Sequence, residues 1–111
     1  MRADAGLTET AAAIRNRSVS ATEVTRAALA RIEAGNPKIN AFTAVTHERA
    51  LKEAARVDAA IAAGSDPGPL AGVPYAVKNL FDIAGLPTLA GSRINAERAA
   101  AAKDAALIER L

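Results

Sequence analysis

The chain has 111 residues, half of them hydrophobic, a formal charge of +2 and no cysteine. That length allows one domain at most. The missing cysteines exclude disulfides and thiolate metal sites, and the evenly mixed charges leave no basic run or basic–aromatic cluster for nucleic acid. Alanine supplies 30 residues, whereas Leu, Ile, Val and Phe together supply 24, near the level at which a chain struggles to fold alone. The core is therefore expected to need more chain or a partner. No apolar segment approaches membrane-spanning length. No apolar signal region opens the chain, and Asp4 and Glu9 argue against a transit peptide, so a cytoplasmic protein is the default.

Leu7 to Arg17 reads as a first short helix, with Thr8 as N-cap and Leu7, Ala11 and Ile14 on one face. The second helix has the stronger start signal. Ser20 and Glu23 make a capping box, and Val19 with Val24 fits a hydrophobic staple. Val24, Ala28, Leu29 and Ile32 form its buried stripe. Gly35, Asn36 and Pro37 are expected to end it. Ile39 to Val45 then alternates as a short strand would.

The third helix is expected from His47 to about Ala63, capped by Thr46 and ended by Gly64. Leu51, Ala54, Val57 and Ile61 make its apolar stripe, and Glu48 and Lys52 fit an i,i+4 pair. His47 is the lone histidine and reads as a first-turn surface residue, not a metal ligand. The glycines of the Gly64–Pro69 loop do not have phosphate-binding spacing. Beyond residue 92, Arg93 to Lys103 is an alanine-rich loop with helical turns, and Asp104 can cap a last helix bearing Leu107, Ile108 and Leu111.

Between these lies the most informative stretch, Gly68 to Ser92. Pro69, Gly72 and Pro74 keep its start out of helix. Val73 to Ile83 is mostly β-branched, aromatic or aliphatic and reads as a strand. Tyr75, Val77, Asn79 and Phe81 would face one way, and Ala76, Lys78, Leu80 and Asp82 the other. Apolar residues on both faces suggest a strand covered on both sides. Lys78 is then a candidate buried amine. Burial disfavours an ammonium, and a lysine kept neutral is a usable general base. On an edge strand Lys78 would instead snorkel into water.

This stretch resembles the lysine segment of the amidase signature family. The matching residues are Gly72-Val73-Pro74, Lys78, Phe81-Asp82, Ala84-Gly85-Leu86-Pro87-Thr88 and Ala90-Gly91-Ser92. Most members have aspartate directly after the lysine; here Asn79 stands there. The run from Lys78 to Asp82, with Leu89 to Ser92 and Ile94-Asn95, is most similar to the 1-carboxybiuret hydrolase branch.

The resemblance implies an α/β fold: N-terminal helices leading into the first strands of a mixed central sheet covered by helices, incomplete in this chain. Residues 1–111 would be the N-terminal part of one amidase domain, with 1–66 a helical lead-in and 67–111 the lysine-bearing strand and the loop and helix after it. It also implies catalysis by a Ser–cis-Ser–Lys triad with Lys78 as its lysine, cleavage of an amide C–N bond in a small molecule, and no cofactor or metal. Both serines are absent: Ser18, Ser20, Ser65 and Ser92 do not sit in the expected glycine–serine-rich motif. Residues 1–111 alone are therefore expected to be inactive. A homodimer, or a small partner subunit docked through the N-terminal helices, is compatible with the amphipathic patterns; nucleic acid and membrane are not expected partners. Two other readings stay open, an amidotransferase subunit that forms Gln-tRNA and a non-catalytic helical interaction module.

Overall fold

The computed structural model describes residues 4–111. It contains five helices among these residues: α1 (Leu7–Arg15), α2 (Ala21–Ile39), α3 (His47–Ala62), α4 (Arg93–Ala96) and α5 (Ala106–Glu109). None is long and apolar enough to cross a membrane. The chain divides into two compact units, Met1–Tyr75 and Ala76–Leu111.

The first unit is built on three helices. Its core is Ile14 from α1, Ala21 and Val24 from α2, and Ala54 from α3, with Val19, Val57 and Ile61 packed against it. Small residues let the helices approach closely: Ala21 is wholly buried and Ile14 is only 2% exposed. The capping box forms as expected. The Glu23 N–H donates to Ser20 Oγ at 3.0 Å, and the Ser20 N–H donates to Glu23 Oε2 at 2.8 Å. Val24 is buried and Val19 packs on the same cluster, which completes the staple.

Several local expectations are corrected. The cap of α1 is Gly6, not Thr8, and Thr10 Oγ1 donates to the Gly6 carbonyl at 2.9 Å. Helix α2 does not stop at Gly35-Asn36-Pro37. Gly35 is not left-handed, so the helix runs through it to Ile39, and Asn40 takes the left-handed cap at φ 50. Pro37 forfeits only the bond its missing N–H would have made, close to the helix end. The predicted strand at 39–45 is absent. Asn36 Oδ1 accepts the Phe42 N–H at 2.9 Å and Asn36 Nδ2 donates to the Phe42 carbonyl at 3.1 Å, so a side chain serves this backbone where a neighbouring strand would have. Thr46 flanks α3 without a side-chain cap bond, and an i,i+4 pair joins Arg49 to Glu53 at 2.9 Å.

The approach to the lysine segment is seated on α1. Arg15 donates to the Gly68 carbonyl at 3.0 Å. Gly72 has φ 83, and a Cβ there would lie 2.7 Å from Ala21 Cβ and 3.1 Å from Ile14 Cδ1. Only glycine permits both the left-handed backbone and this approach.

The fold class also needs correction. No strand occurs among the described residues, so the α/β expectation of helices leading into a mixed sheet fails for this chain. A strand exists only against a neighbour that takes up its N–H and C=O groups. From Val73 to Ile83 those groups find turns instead: the Leu80 and Phe81 N–H groups both donate to the Lys78 carbonyl, at 2.8 and 3.2 Å. The alternation itself survives from Val77 on. Val77, Asn79, Phe81 and Ile83 are half-buried, while Ala76, Lys78, Leu80 and Asp82 are exposed; Tyr75, expected on the first face, is exposed instead. Expected cover on both sides is therefore found on one.

Candidate functional site

Lys78 lies in the second unit, which carries little core. Among its side chains only Ile108 is buried, and hydrogen bonds hold the rest. Lys78 is exposed, not enclosed as its strand reading implied. Its flank, however, is tightly specified. The Asn79 carbonyl accepts the Ala90 N–H at 2.8 Å, and Asn79 Oδ1 accepts the Leu89 N–H at 3.1 Å. Two donors converge on the Leu89 carbonyl, Asn95 Nδ2 at 3.1 Å and the Ser92 N–H at 2.8 Å. Thr88 Oγ1 donates to Asp82 Oδ1 at 2.5 Å across the base of the same loop.

The loop turns at Ala90 and Gly91, with φ 45 and 73. A left-handed alanine costs about 1–2 kcal/mol and persists only where its surroundings over-determine it. Here the bonds from Asn79 and Asn95 do so. Ser92 then caps α4, its Oγ accepting the Ile94 N–H at 3.2 Å. Asp104 does not cap α5. It accepts the Ala84 N–H at 2.8 Å, and Ala105 is the helix N-cap. Reciprocal bonds of 2.9 Å tie Gly85 and Leu86 to Ala101. Of the last apolar face only Ile108 is buried, while Leu107 and Leu111 stay exposed.

Two of the other serines are occupied structurally. Ser18 Oγ donates to the Ala13 carbonyl at 3.1 Å and Ser20 caps α2. A shallow depression of about 320 Å³ on the first unit is lined by Ile14, Arg17, Val19, Glu23, Asp58 and Ile61 among others. Its acids are committed to helix ends. Hydrogen bonds from the Ser20 backbone and hydroxyl hold Glu23 below the usual carboxylate range. Partial burial pushes Asp58 upward, but bonds from Thr22 and Ala21 outweigh it and leave that carboxyl lowered. His47 is exposed in the first turn of α3. No group of three or more His, Cys, Asp or Glu placed to hold a metal occurs among the described residues.

Sequence reasoning singled out Lys78 but missed the Asn79, Asp82 and Asn95 clasp. Its signal was present: short polar side chains beside glycines and prolines bond local backbone. Which donor or acceptor each would choose was not readable from spacing.

Comparison with known proteins bears on this stretch directly. The amidase family model matches residues 23–111, a span that includes Lys78. A glutamyl-tRNA(Gln) amidotransferase subunit of Bdellovibrio bacteriovorus is 53% identical over 90 residues, covering 81% of this chain and 18% of that protein. AtzE, the 1-carboxybiuret hydrolase subunit of Pseudomonas sp. strain ADP, is 54% identical over 92 residues, covering 83% of this chain and 20% of that protein. The chain thus spans about a fifth of the length of these curated relatives. A solved chain, from work on a vestigial protein complex that reveals the evolutionary origins of an s-triazine catabolic enzyme, superposes with a TM-score of 0.93 at 48% identity, over 96% of this chain and 23% of that one. With four fifths of its residues inside the family match, and relatives more than half identical on either side of it, this chain belongs to the amidase family.

Proposed function

We propose that this chain supplies the general-base lysine of an amide hydrolase, and that Lys78 is that residue. One observation carries the reading: Lys78 stands in the matched region, exposed, on a loop whose backbone is clamped on its C-terminal side. The reaction proposed is hydrolysis of a linear amide C–N bond. The Lys78 amine takes a proton from a bridging serine, which takes one from a nucleophilic serine as that oxygen attacks the carbonyl. An acyl-enzyme forms, ammonia or an amine leaves, and water releases the acid. Backbone N–H groups near the nucleophile stabilise the oxyanion. The two serines belong to no motif of residues 1–111, so the reading requires sequence from the remaining length of the relatives.

Within the family, the 1-carboxybiuret hydrolase type is favoured by the run from Lys78 to Asp82 and by the identity to the Pseudomonas hydrolase. A glutamyl-tRNA(Gln) amidotransferase type is supported by nearly the same identity to the Bdellovibrio protein. Grafting residues 20–111 into each of these two proteins, in place of the corresponding segment, tests both readings. A working graft that loses activity about 10²–10⁴-fold on Lys78→Ala supports Lys78 as the base. A graft that keeps its activity without Lys78 overturns it. The host in which the graft retains more of the parent rate distinguishes the two types.

A further inference from the structure

Beside Lys78, Asn79 makes two of the bonds that close the loop. Asn79 receives the Leu89 N–H on its side chain and the Ala90 N–H on its carbonyl, at 3.1 and 2.8 Å. It is half-buried, while the lysine before it and the leucine after it are exposed. The turn it grips carries the left-handed pair Ala90 and Gly91, and the Leu89 carbonyl is gripped from the other side by Asn95.

Resting on the reading of Lys78 as the base, we infer that Asn79 is the positioning residue for that lysine. The Lys78 carbonyl already anchors the following turn by accepting the Leu80 and Phe81 N–H groups. With Asn79 fixed to Leu89 and Ala90, the peptide joining residues 78 and 79 is held from both sides. The amine at the end of a four-carbon stem then starts from a fixed backbone, which narrows the volume it searches. Catalytic geometry is sensitive to such placement, a misplacement of about 1 Å costing as much as a hundredfold in rate. The Asn79 oxygen accepts the Leu89 N–H; an aspartate offers the same acceptor, and alanine offers none.

The test has two arms. In the intact 111-residue chain, hydrogen exchange followed by NMR reads the Leu89 and Ala90 amides. Asn79→Ala is expected to speed Leu89 exchange at least about tenfold, with the Glu23 amide in the capping box unchanged as a control for the rest of the chain. Equal Leu89 protection in the variant and the parent overturns the inference. In the graft, kcat is measured per titrated active site. Asn79→Ala is expected to lower kcat about 10–100-fold with KM nearly unchanged, and Asn79→Asp to restore most of it. An unchanged kcat for Asn79→Ala, in a graft that Lys78→Ala inactivates, overturns the inference and leaves the base assignment standing. Activity that survives Lys78→Ala removes the base assignment itself.

Discussion

Asp58 of α3 closes the start of α2 through Thr22: its Oδ2 accepts the Thr22 N–H at 3.0 Å and the Thr22 hydroxyl at 2.6 Å. Its Oδ1 takes the neighbouring Ala21 N–H at 2.7 Å. A helix N-terminus presents unpaired N–H groups and partial positive charge, so a carboxylate from another helix both caps it and pins the two together. Ser20 and Glu23 serve the same helix end locally, which leaves α2 capped twice.

Asp58→Ala is accordingly expected to destabilise the chain by about 1–2 kcal/mol, read as a lower urea midpoint. Because its folded carboxyl is lowered, the stability it contributes is present above the unfolded carboxyl's ordinary range. It is lost as the pH falls through the lowered folded value. Melts between about pH 2 and 6 should show this acid loss in the parent chain and a weaker one in Asp58→Asn. Identical pH profiles for the two would refute the capping role.

Two glycines should respond oppositely to alanine. At Gly72 a Cβ meets Ala21 Cβ at 2.7 Å and the backbone has φ 83, so Gly72→Ala is expected to cost about 1–3 kcal/mol or more. At Gly35, inside α2, nothing lies within 4 Å of a new Cβ. Gly35→Ala should stabilise by about 0.5–1 kcal/mol. Thermal unfolding of both variants decides the pair, and a neutral Gly72→Ala would mean the loop before Pro74 does not sit against α1 and α2.

Removing the centre of the first core should be severe. Ile14→Ala, at a side chain 2% exposed, is expected to cost about 2–5 kcal/mol. Ile39→Ala, at 70% exposure, should stay within about 0.5 kcal/mol. Comparable losses at both sites would contradict a core centred on Ile14.

If Lys78 is the base, charge alone cannot replace it. A guanidinium stays protonated at any working pH, so Lys78→Arg in the graft should be as inactive as Lys78→Ala. A Lys78→Arg variant retaining more than about a tenth of the parent rate would instead make the residue's role electrostatic, since general-base catalysis contributes about 10²–10⁴-fold.

Much of this chain was legible without coordinates, because the relevant physics is local. The Ser20–Glu23 box, the Val19–Val24 staple, the stripe of α3 and the alternation from Val77 to Ile83 all follow from spacing between near neighbours, whereas of the expected α2 stripe only Val24 is buried. The motif from Gly72 to Ser92, with Lys78 inside it, was likewise visible as a pattern and led to the family. What spacing could not decide was which donors and acceptors would pair outside the helices. Asp58 reaches back to Thr22, Asp104 takes Ala84 in place of its own helix, Asn36 takes Phe42 in place of a strand, and Asn79 takes Leu89. Val73 to Ile83 has the composition of a strand, yet a strand is a property of two segments. Composition sets only what the backbone prefers, while the hydrogen-bond partners available in three dimensions set what it becomes.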